Sequence, residues 1–164
     1  MPFTTISDAL LAFKGVGRRF EIIGQANDIT VIDDYAHHPT EIAATLTTAK
    51  ENYKGRVIVI YQPHLFSRTR DFLYQFAESL SIADKTLMVD IYPAREKPIE
   101  GVTSKTIVDI AQKKKKGDFE YLGGKANAIA RSVEIAKPGD VIITMGAGSV
   151  TLLKLKILEL LKKK

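Results

Sequence analysis

The segment 29–41, with the sequence ITVIDDYAHHPTE, constrains the fold more than any other part of the chain. Its first four residues are β-branched and mostly apolar, which is typical of a buried strand. Two aspartates, a tyrosine and two histidines follow, and Pro39 suits the first turn of a helix, where a missing N–H costs little. The polar residues therefore lie between a strand and a helix, where open α/β sheets bind ligands.

The same cluster also has a purely structural interpretation. Asp34 can cap the following helix or pair with a lysine, and both histidines can be solvated loop residues. A zinc site is not predicted, because His37 and His38 are adjacent, His64 is the only other histidine, and cysteine is absent. A closed zinc site would need carboxylates to complete it. We therefore predict no metal ligands in this chain.

The rest of the chain alternates strand-like and helix-like patterns. Ala26, Asn27 and Asp28 predict a tight hairpin, so the first two strands should be antiparallel. Strands that alternate with helices predict crossover connections and a mostly parallel sheet. We predict one Rossmann-like, three-layer α/β domain over residues 1–164, with an N-terminal antiparallel hairpin strand. Its strands are expected at 20–23, 29–32, 56–61, 86–91, 119–122 and 141–144.

Two further polar clusters follow strands, QPHLFSRTR at 62–70 and MGAGS at 145–149. Since parallel strands end on one edge, we expect these clusters to meet Asp33 and Asp34 there. The guanidinium groups of Arg68 and Arg70 match carboxylate or phosphate oxygens. The glycine-rich turn at 146–148 either exposes backbone N–H groups to an anion or is simply a tight strand–helix turn.

Several functional classes are excluded by what the sequence lacks. It contains neither the phosphate-binding pattern GxxxxGK[ST] nor the nucleophile pattern GxSxG, so the sequence shows no catalytic motif of its own. The net charge of +5 comes largely from lysine runs at 113–116 and 162–164, which read as solvated helix ends. Neither run is interleaved with aromatic residues, so no nucleic-acid partner is predicted.

The expected compartment is the cytoplasm. No secretory signal and no apolar run long enough to cross a membrane is visible. The absence of cysteine fits a reducing compartment. We therefore predict a cytoplasmic protein without a membrane partner.

Five motifs in a fixed order resemble the C-terminal domain of the Mur ligases. They are FKGVGRRFE, DDYAHHPTEI, QPHLFSRTRDF, DIYPAREKPIEGVTS and MGAG, and the resemblance covers about residues 8–153. The QPH and SRTR elements are similar to the branch that joins L-alanine to UDP-N-acetylmuramate. The related branch that attaches a whole tripeptide usually lacks them.

The resemblance implies a fragment of a three-domain, ATP-dependent ligase. One domain would bind the UDP-sugar, a central ATPase would hold most of the ATP and Mg²⁺, and this chain would be the Rossmann-like lid. ATP would phosphorylate the lactyl carboxylate, and the alanine amine would attack the acyl phosphate. Because the two other domains are absent, the isolated chain is expected to be inactive.

The resemblance also implies roles for individual residues. Asp34, Tyr35 and His37 would face the cleft for ATP and substrate. The amino acid would be bound by His64, Arg68, Gly146 and Ser149. Asp33, His38, Arg70 and Arg95 are possible additional site residues.

Two positions depart from the family pattern. Many members have arginine where this chain has Leu65, so one carboxylate fork is missing or is supplied by Arg70 or Arg95. Many also read GAGD where this chain has Ser149. The alternative to the ligase interpretation is a free-standing α/β ligand-binding or regulatory domain without catalytic activity.

Overall fold

The structure, a computed structural model, describes residues 2–12 and 15–164. Within them, helices surround a single six-stranded sheet. The strands are β1 (Glu21–Ala26), β2 (Ile29–Asp34), β3 (Val57–Tyr61), β4 (Lys85–Val89), β5 (Phe119–Gly123) and β6 (Val141–Met145). The helices are α1 (Phe3–Ala12), α2 (Pro39–Asn52), α3 (Phe66–Asp71), α4 (Leu73–Leu80), α5 (Ser104–Lys113), α6 (Lys125–Ile135) and α7 (Leu153–Leu161), with a 3₁₀ turn at Ser149–Leu152.

The sheet has the strand order β1-β2-β6-β3-β4-β5. Only the β1–β2 pair is antiparallel, and the four other pairings are parallel. Asn27 and Asp28, at the hairpin between β1 and β2, have φ values of 50° and 58°, as a type I′ turn requires. The predicted mostly parallel sheet with an antiparallel N-terminal strand is therefore confirmed.

Apolar residues cover both faces of the sheet. All five residues of β3 are buried, and alternate ones point to opposite faces. Val59 and Tyr61 belong to the apolar cluster that includes residues of α2, α4 and α5. Ile58 and Ile60 belong to the opposite cluster, with residues of α6 and α7. The predicted three-layer arrangement is confirmed.

The helix after β2 begins as its sequence predicts, but its cap is a different residue. Pro39 is the first residue of α2, and His38 is the N-cap. The His38 ring accepts from the Thr40 amide at 3.4 Å, and the Glu41 carboxylate accepts from the His38 amide at 3.2 Å. This reciprocal pair is a capping box, so Asp34 is not the cap of this helix.

The chain after β3 forms one more helix than the sequence predicts. The pattern predicts a helix with Phe72, Leu73, Phe76, Ala77 and Leu80 on one face, and it corresponds to α4, but part of the preceding polar cluster also forms the short helix α3. The Thr69 hydroxyl donates to the Leu65 carbonyl oxygen at 2.8 Å, a local bond that often bends helices. None of the ten residues of α1 is buried.

In the part of the chain that the structure describes, no helix is long and apolar enough to cross a membrane.

Asp140 connects the amino-terminal ends of β3 and β6. Its side chain is 4% exposed and accepts from three Arg56 nitrogens, of which Nη2 is the nearest at 2.6 Å. It also accepts from the Lys137 amide at 2.8 Å. Removing this carboxylate would leave several donors without a partner, which makes Asp140 a structural residue remote from the polar edge.

We expect Asp140→Ala to lower the free energy of unfolding by about 2 kcal/mol, because it removes a buried carboxylate that accepts from Arg56 and from the Lys137 amide. Asp71→Ala is the matched control, since Asp71 pairs with Arg70 while both side chains are about half exposed. That control should change stability by less than about 0.5 kcal/mol. Urea unfolding measures both values, and equal effects of the two substitutions would contradict the assignment.

Candidate functional site

The predicted polar clusters meet at the carboxyl edge of the sheet. β6 lies between β2 and β3, so its end contacts both neighbours. The Gly146 amide donates to the Asp34 carbonyl oxygen at 3.1 Å, and the Gln62 amide donates to the Met145 carbonyl oxygen at 3.1 Å. The prediction that the three clusters share one edge is confirmed.

Asp33 lies at this edge with its side chain directed into the protein. The side chain is fully buried and forms a network that ties β2 to β6 and α7. Its donors are Thr144 Oγ1 and Thr151 Oγ1, both at 2.7 Å, Lys154 Nζ at 3.2 Å and Arg18 Nε at 3.3 Å. Because these groups satisfy the carboxylate, its contacts are those of a structural anchor.

Asp34 binds the backbone just before β1 and just after β2. Its Oδ2 accepts from the Phe20 amide at 2.8 Å, and its Oδ1 accepts from the Ala36 amide at 2.7 Å. The residue is 4% exposed and borders an open groove of about 370 Å³. The groove is also lined by Arg19, Phe20, Glu41, Ala44, Thr45 and Thr48. Asp34 thus accepts hydrogen bonds from two backbone amides and also lines this groove.

Arg18 links Tyr35 to the glycine-rich turn. Its guanidinium carbon lies 4.7 Å from the centroid of the Tyr35 ring, within cation–π range. Its Nη2 donates to the Gly146 carbonyl oxygen at 2.5 Å. The sequence did not identify Arg18 as a site residue, since nothing in GVGRRF shows that this arginine reaches a turn 128 residues away.

A row of aromatic and imidazole rings crosses the edge from β2 to β4. The Tyr35 and His37 centroids are 5.2 Å apart, and those of His37 and His64 are 6.1 Å apart. His64 stacks on Tyr92, with 5.6 Å between centroids and 20° between planes. His37 Nδ1 lies 3.0 Å from the Tyr35 carbonyl oxygen, so an Nδ1–H tautomer donates to it. Side chains from three sequence motifs therefore form one continuous surface.

His64 and Arg68 present buried polar atoms without a hydrogen-bond partner. Among residues 2–12 and 15–164, His64 Nδ1 and Arg68 Nη1 are fully inaccessible and form no hydrogen bond. Burial lowers the pKa of His64 below its ordinary value, and the nearby charges of Arg68 and His37 lower it further. Leaving a buried polar group unsatisfied is costly, and a carboxylate or phosphate is the natural partner of a guanidinium.

The glycine-rich turn packs tightly against Gln62. A Cβ on Gly146 would lie 2.6 Å from the Gln62 carbonyl oxygen, and one on Gly148 would lie 2.6 Å from Gln62 Oε1. Gly146 also has a φ of 140°, in the region that favours glycine. The Val150 amide donates to Gln62 Oε1 at 3.0 Å. These glycines are therefore required by a close approach within the protein, which supports the tight-turn interpretation.

Ser149 is bound by a lysine that the sequence interpretation did not assign. Lys125 Nζ donates to Ser149 Oγ at 2.6 Å. Both residues line a cleft of about 340 Å³ with Gln62, Asp90 and Tyr92. Lys125 and Tyr92 follow β5 and β4, so the same strand-end rule that selected the other clusters would have selected these two.

Three candidate residues lie outside the row of rings. Arg70 Nε donates to Asp71 Oδ1 at 2.8 Å on the surface. Arg95 is exposed in the loop after β4. His38 caps α2, and its ring packs edge-on against Phe72. The described residues contain no group of three His, Cys, Asp or Glu side chains able to hold a metal ion.

Comparison with known proteins identifies a family. The family model described as "Mur ligase, glutamate ligase domain" matches residues 18–148. The curated UDP-N-acetylmuramate–L-alanine ligase of Geotalea uraniireducens (strain Rf4) is 41% identical over 162 residues, which cover 99% of this chain and 35% of that protein. The chain thus spans about a third of the length of the curated relatives that it matches.

Solved structures agree with this match. A murein peptide ligase from Psychrobacter arcticus 273-4 has a TM-score of 0.78 and 30% identity, covering 98% of this chain and 33% of that one. The UDP-N-acetylmuramate-alanine ligase MurC of Thermotoga maritima has a TM-score of 0.72 and 26% identity, covering 98% and 35%. Together with the family model, which matches most of the chain, these similarities show that the chain belongs to the Mur ligase C-terminal domain family.

Proposed function

We propose that residues 1–164 form the C-terminal lid domain of an ATP-dependent ligase that joins L-alanine to UDP-N-acetylmuramate in peptidoglycan precursor synthesis. The N-terminal UDP-sugar domain and the central ATPase domain belong to the rest of this cytoplasmic ligase. The single observation that carries the proposal is the 41% identity with the curated ligase of that name over 99% of this chain. Support also comes from the partly exposed side chains of His64 and Arg68, each of which has a polar atom without a hydrogen-bond partner among the described residues.

In the proposed reaction, the domain positions the amino acid and does not itself activate the sugar. ATP phosphorylates the lactyl carboxylate, which gives an acyl phosphate and ADP. The alanine amine then attacks the acyl carbon, phosphate leaves, and the nitrogen loses a proton. Closure of the domain would hold amine and acyl phosphate in contact and exclude water.

Arg68 and His64 are assigned complementary tasks. The Arg68 guanidinium binds the α-carboxylate of alanine through charge-assisted hydrogen bonds. Since burial and the charges of Arg68 and His37 lower the His64 pKa, the imidazole is neutral at pH 7 and can accept from the ammonium group. A neutral imidazole also avoids a second positive charge beside Arg68.

The remaining candidate residues are assigned by their motifs. We assign Asp34, Tyr35 and His37 to the ATP and substrate side of the cleft, and Gly146 and Ser149 to the amino-acid side. For the carboxylate fork that Leu65 cannot provide, we assign Arg95, because it lies in the same loop as Tyr92. Arg70 is engaged by Asp71 instead.

ATP and Mg²⁺ are assigned to the central part of the ligase. Mg²⁺ on ATP needs only one or two protein carboxylates beside phosphate and water oxygens, and we assign those carboxylates to the central part of the ligase. The sequence also lacks the GxxxxGK[ST] pattern that cradles phosphates. Our assignment for this domain is therefore restricted to orientation and charge stabilisation.

A second candidate is the tripeptide-adding activity on the same sugar nucleotide. It is favoured by the likeness to the murein peptide ligase of Psychrobacter arcticus, which has the higher TM-score of the two structures. The two activities differ in the incoming amine. Assay of the complete ligase with L-alanine and with the tripeptide, each at equal concentration, separates them.

The purified 164-residue chain should show no ligase turnover, because it lacks a phosphate-binding loop. Phosphate release in the presence of UDP-N-acetylmuramate, L-alanine, ATP and Mg²⁺ measures this. The complete ligase is the positive control. Phosphate release by the isolated chain that depends on L-alanine would contradict the proposed division of labour.

Arg68→Ala in the complete ligase should raise the KM for L-alanine about 30-fold, the expected cost of losing a charge-assisted carboxylate contact. The KM for ATP should change less than about threefold, since Arg68 is assigned to the amino acid alone. Arg131→Ala is the matched control, because Arg131 pairs with Glu120 and Glu134 elsewhere on the domain. An equal rise in both KM values for Arg68→Ala would remove the assignment.

His64 should titrate below the ordinary histidine value, and Arg68→Ala should move its pKa upward by removing a neighbouring positive charge. The unfolded chain then binds more protons as the pH falls through about 6.5, so His64 lowers stability on acidification. The imidazole C–H signals measured by NMR against pH test this. Arg131→Ala should leave the His64 pKa unchanged, and an unshifted wild-type value would contradict the burial argument.

A further inference from the structure

The segments after β3 and β4 remain paired beyond the ends of both strands. The Tyr92 amide donates to the Pro63 carbonyl oxygen at 2.8 Å, and the Leu65 amide donates to the Tyr92 carbonyl oxygen at 3.0 Å. His64 and Tyr92 form an isolated parallel bridge between these bonds. This short extension sets the His64 ring against Tyr92 and places the start of α3 beside the loop after β4.

The first turn of α3 is capped by a residue of that loop. Leu65 is the N-cap position, has a φ of 74° and supplies no side-chain cap. Glu96 Oε2 accepts from the Ser67 amide at 2.9 Å, and Glu96 Oε1 accepts from the Ser67 hydroxyl. These hydrogen bonds from Ser67 hold the pKa of Glu96 below its ordinary value. Glu96 therefore remains an anion at neutral pH, which suits free N–H groups at the start of a helix.

This cap lies next to the two unpartnered side chains of the site. Arg68 follows Ser67 directly in α3, and His64 directly precedes the N-cap Leu65, so both depend on where the first turn of α3 is held. Glu96 itself sits on a turn, since its amide donates to the Pro93 carbonyl oxygen at 2.9 Å. One carboxylate thus joins the loop that carries Tyr92 to the helix that carries Arg68.

We propose that Glu96 is a positioning residue of the ligase, whose carboxylate fixes the start of α3 against the loop after β4 and so orients His64 and Arg68 for an α-carboxylate. The inference rests on the proposed function for the identity of the bound group. The hydrogen bonding between Glu96 and Ser67 does not depend on the proposed function, and it can be measured without any ligand.

Charge and hydrogen bonding can be separated at this position. Arg68 of α3, His37 of the loop before α2, and Glu96 are the charged or titratable groups that act on His64, and Tyr92 stacks on its ring. Of these, only Glu96 favours protonation of His64. Glu96→Gln removes the charge but keeps an oxygen for Ser67, whereas Glu96→Ala removes both.

The test is an NMR comparison of the 164-residue chain with Glu96→Gln, Glu96→Ala and the control Glu100→Ala, an exposed residue of the same loop. Glu96→Ala should speed exchange of the Ser67 amide about tenfold, and Glu96→Gln should restore protection to within about threefold. Both should lower the His64 pKa, because both remove the negative charge. Unchanged Ser67 exchange in Glu96→Ala would overturn the proposal.

The effect of Glu96 on the KM for L-alanine is measured in the complete ligase. Glu96→Ala should raise the KM for L-alanine about tenfold with little change in the KM for ATP, and Glu96→Gln should recover most of that loss. Equal KM values for L-alanine in wild type and Glu96→Ala would overturn the positioning role. If Ser67 exchange responds while Arg68→Ala does not affect L-alanine, the connection stands and the proposed function of Arg68 fails.

Discussion

The parallel hydrogen bonds of β6 with both β2 and β3 are the constraint on which the polar edge depends. β2 and β3 are consecutive in the chain, yet they are separated in space by a strand from the far end of the sequence. Only this insertion places the Gly146 turn between Asp34 and Gln62. The Asp33 carboxylate stabilises it from the side, because it accepts from Thr144 of β6 and from Lys154 of α7.

The polar side chains in one half of the edge have hydrogen-bond partners within the domain, whereas the other half contains buried polar atoms without such partners in the described part of the chain. Around β2, the two aspartates find their partners within the domain, and their charge is used to hold the turn and the chain entry in place. Around β3 and β4, buried atoms of His64 and Arg68 have no such partner among the described residues. Because desolvated polar groups are costly, we place the proposed amino-acid site in this second half.

Much of the fold could be predicted from the sequence. The runs at 57–61 and 141–143 are continuously apolar, which is typical of strands buried on both faces, and they lie in β3 and β6. Asn27 and Asp28 also identify the hairpin, since their turn needs positive φ. The short helix α3 could not be predicted, because its first turn is held by Glu96, a residue distant in sequence.

The sequence by itself determined the strands, most helix starts and the type of group at each strand end, because hydrophobic period and turn chemistry are local. The tertiary structure alone decided which of these groups meet. It showed that Asp33 is a buried carboxylate with several donors, whereas Arg68 is partly exposed and has one nitrogen without a partner among residues 2–12 and 15–164, although both were candidate ligand residues. It also brought Arg18, Lys125 and Glu96 into hydrogen-bond contact with residues of the candidate clusters. Their partners are distant in sequence, and contacts of that kind depend on strand order and not on local pattern.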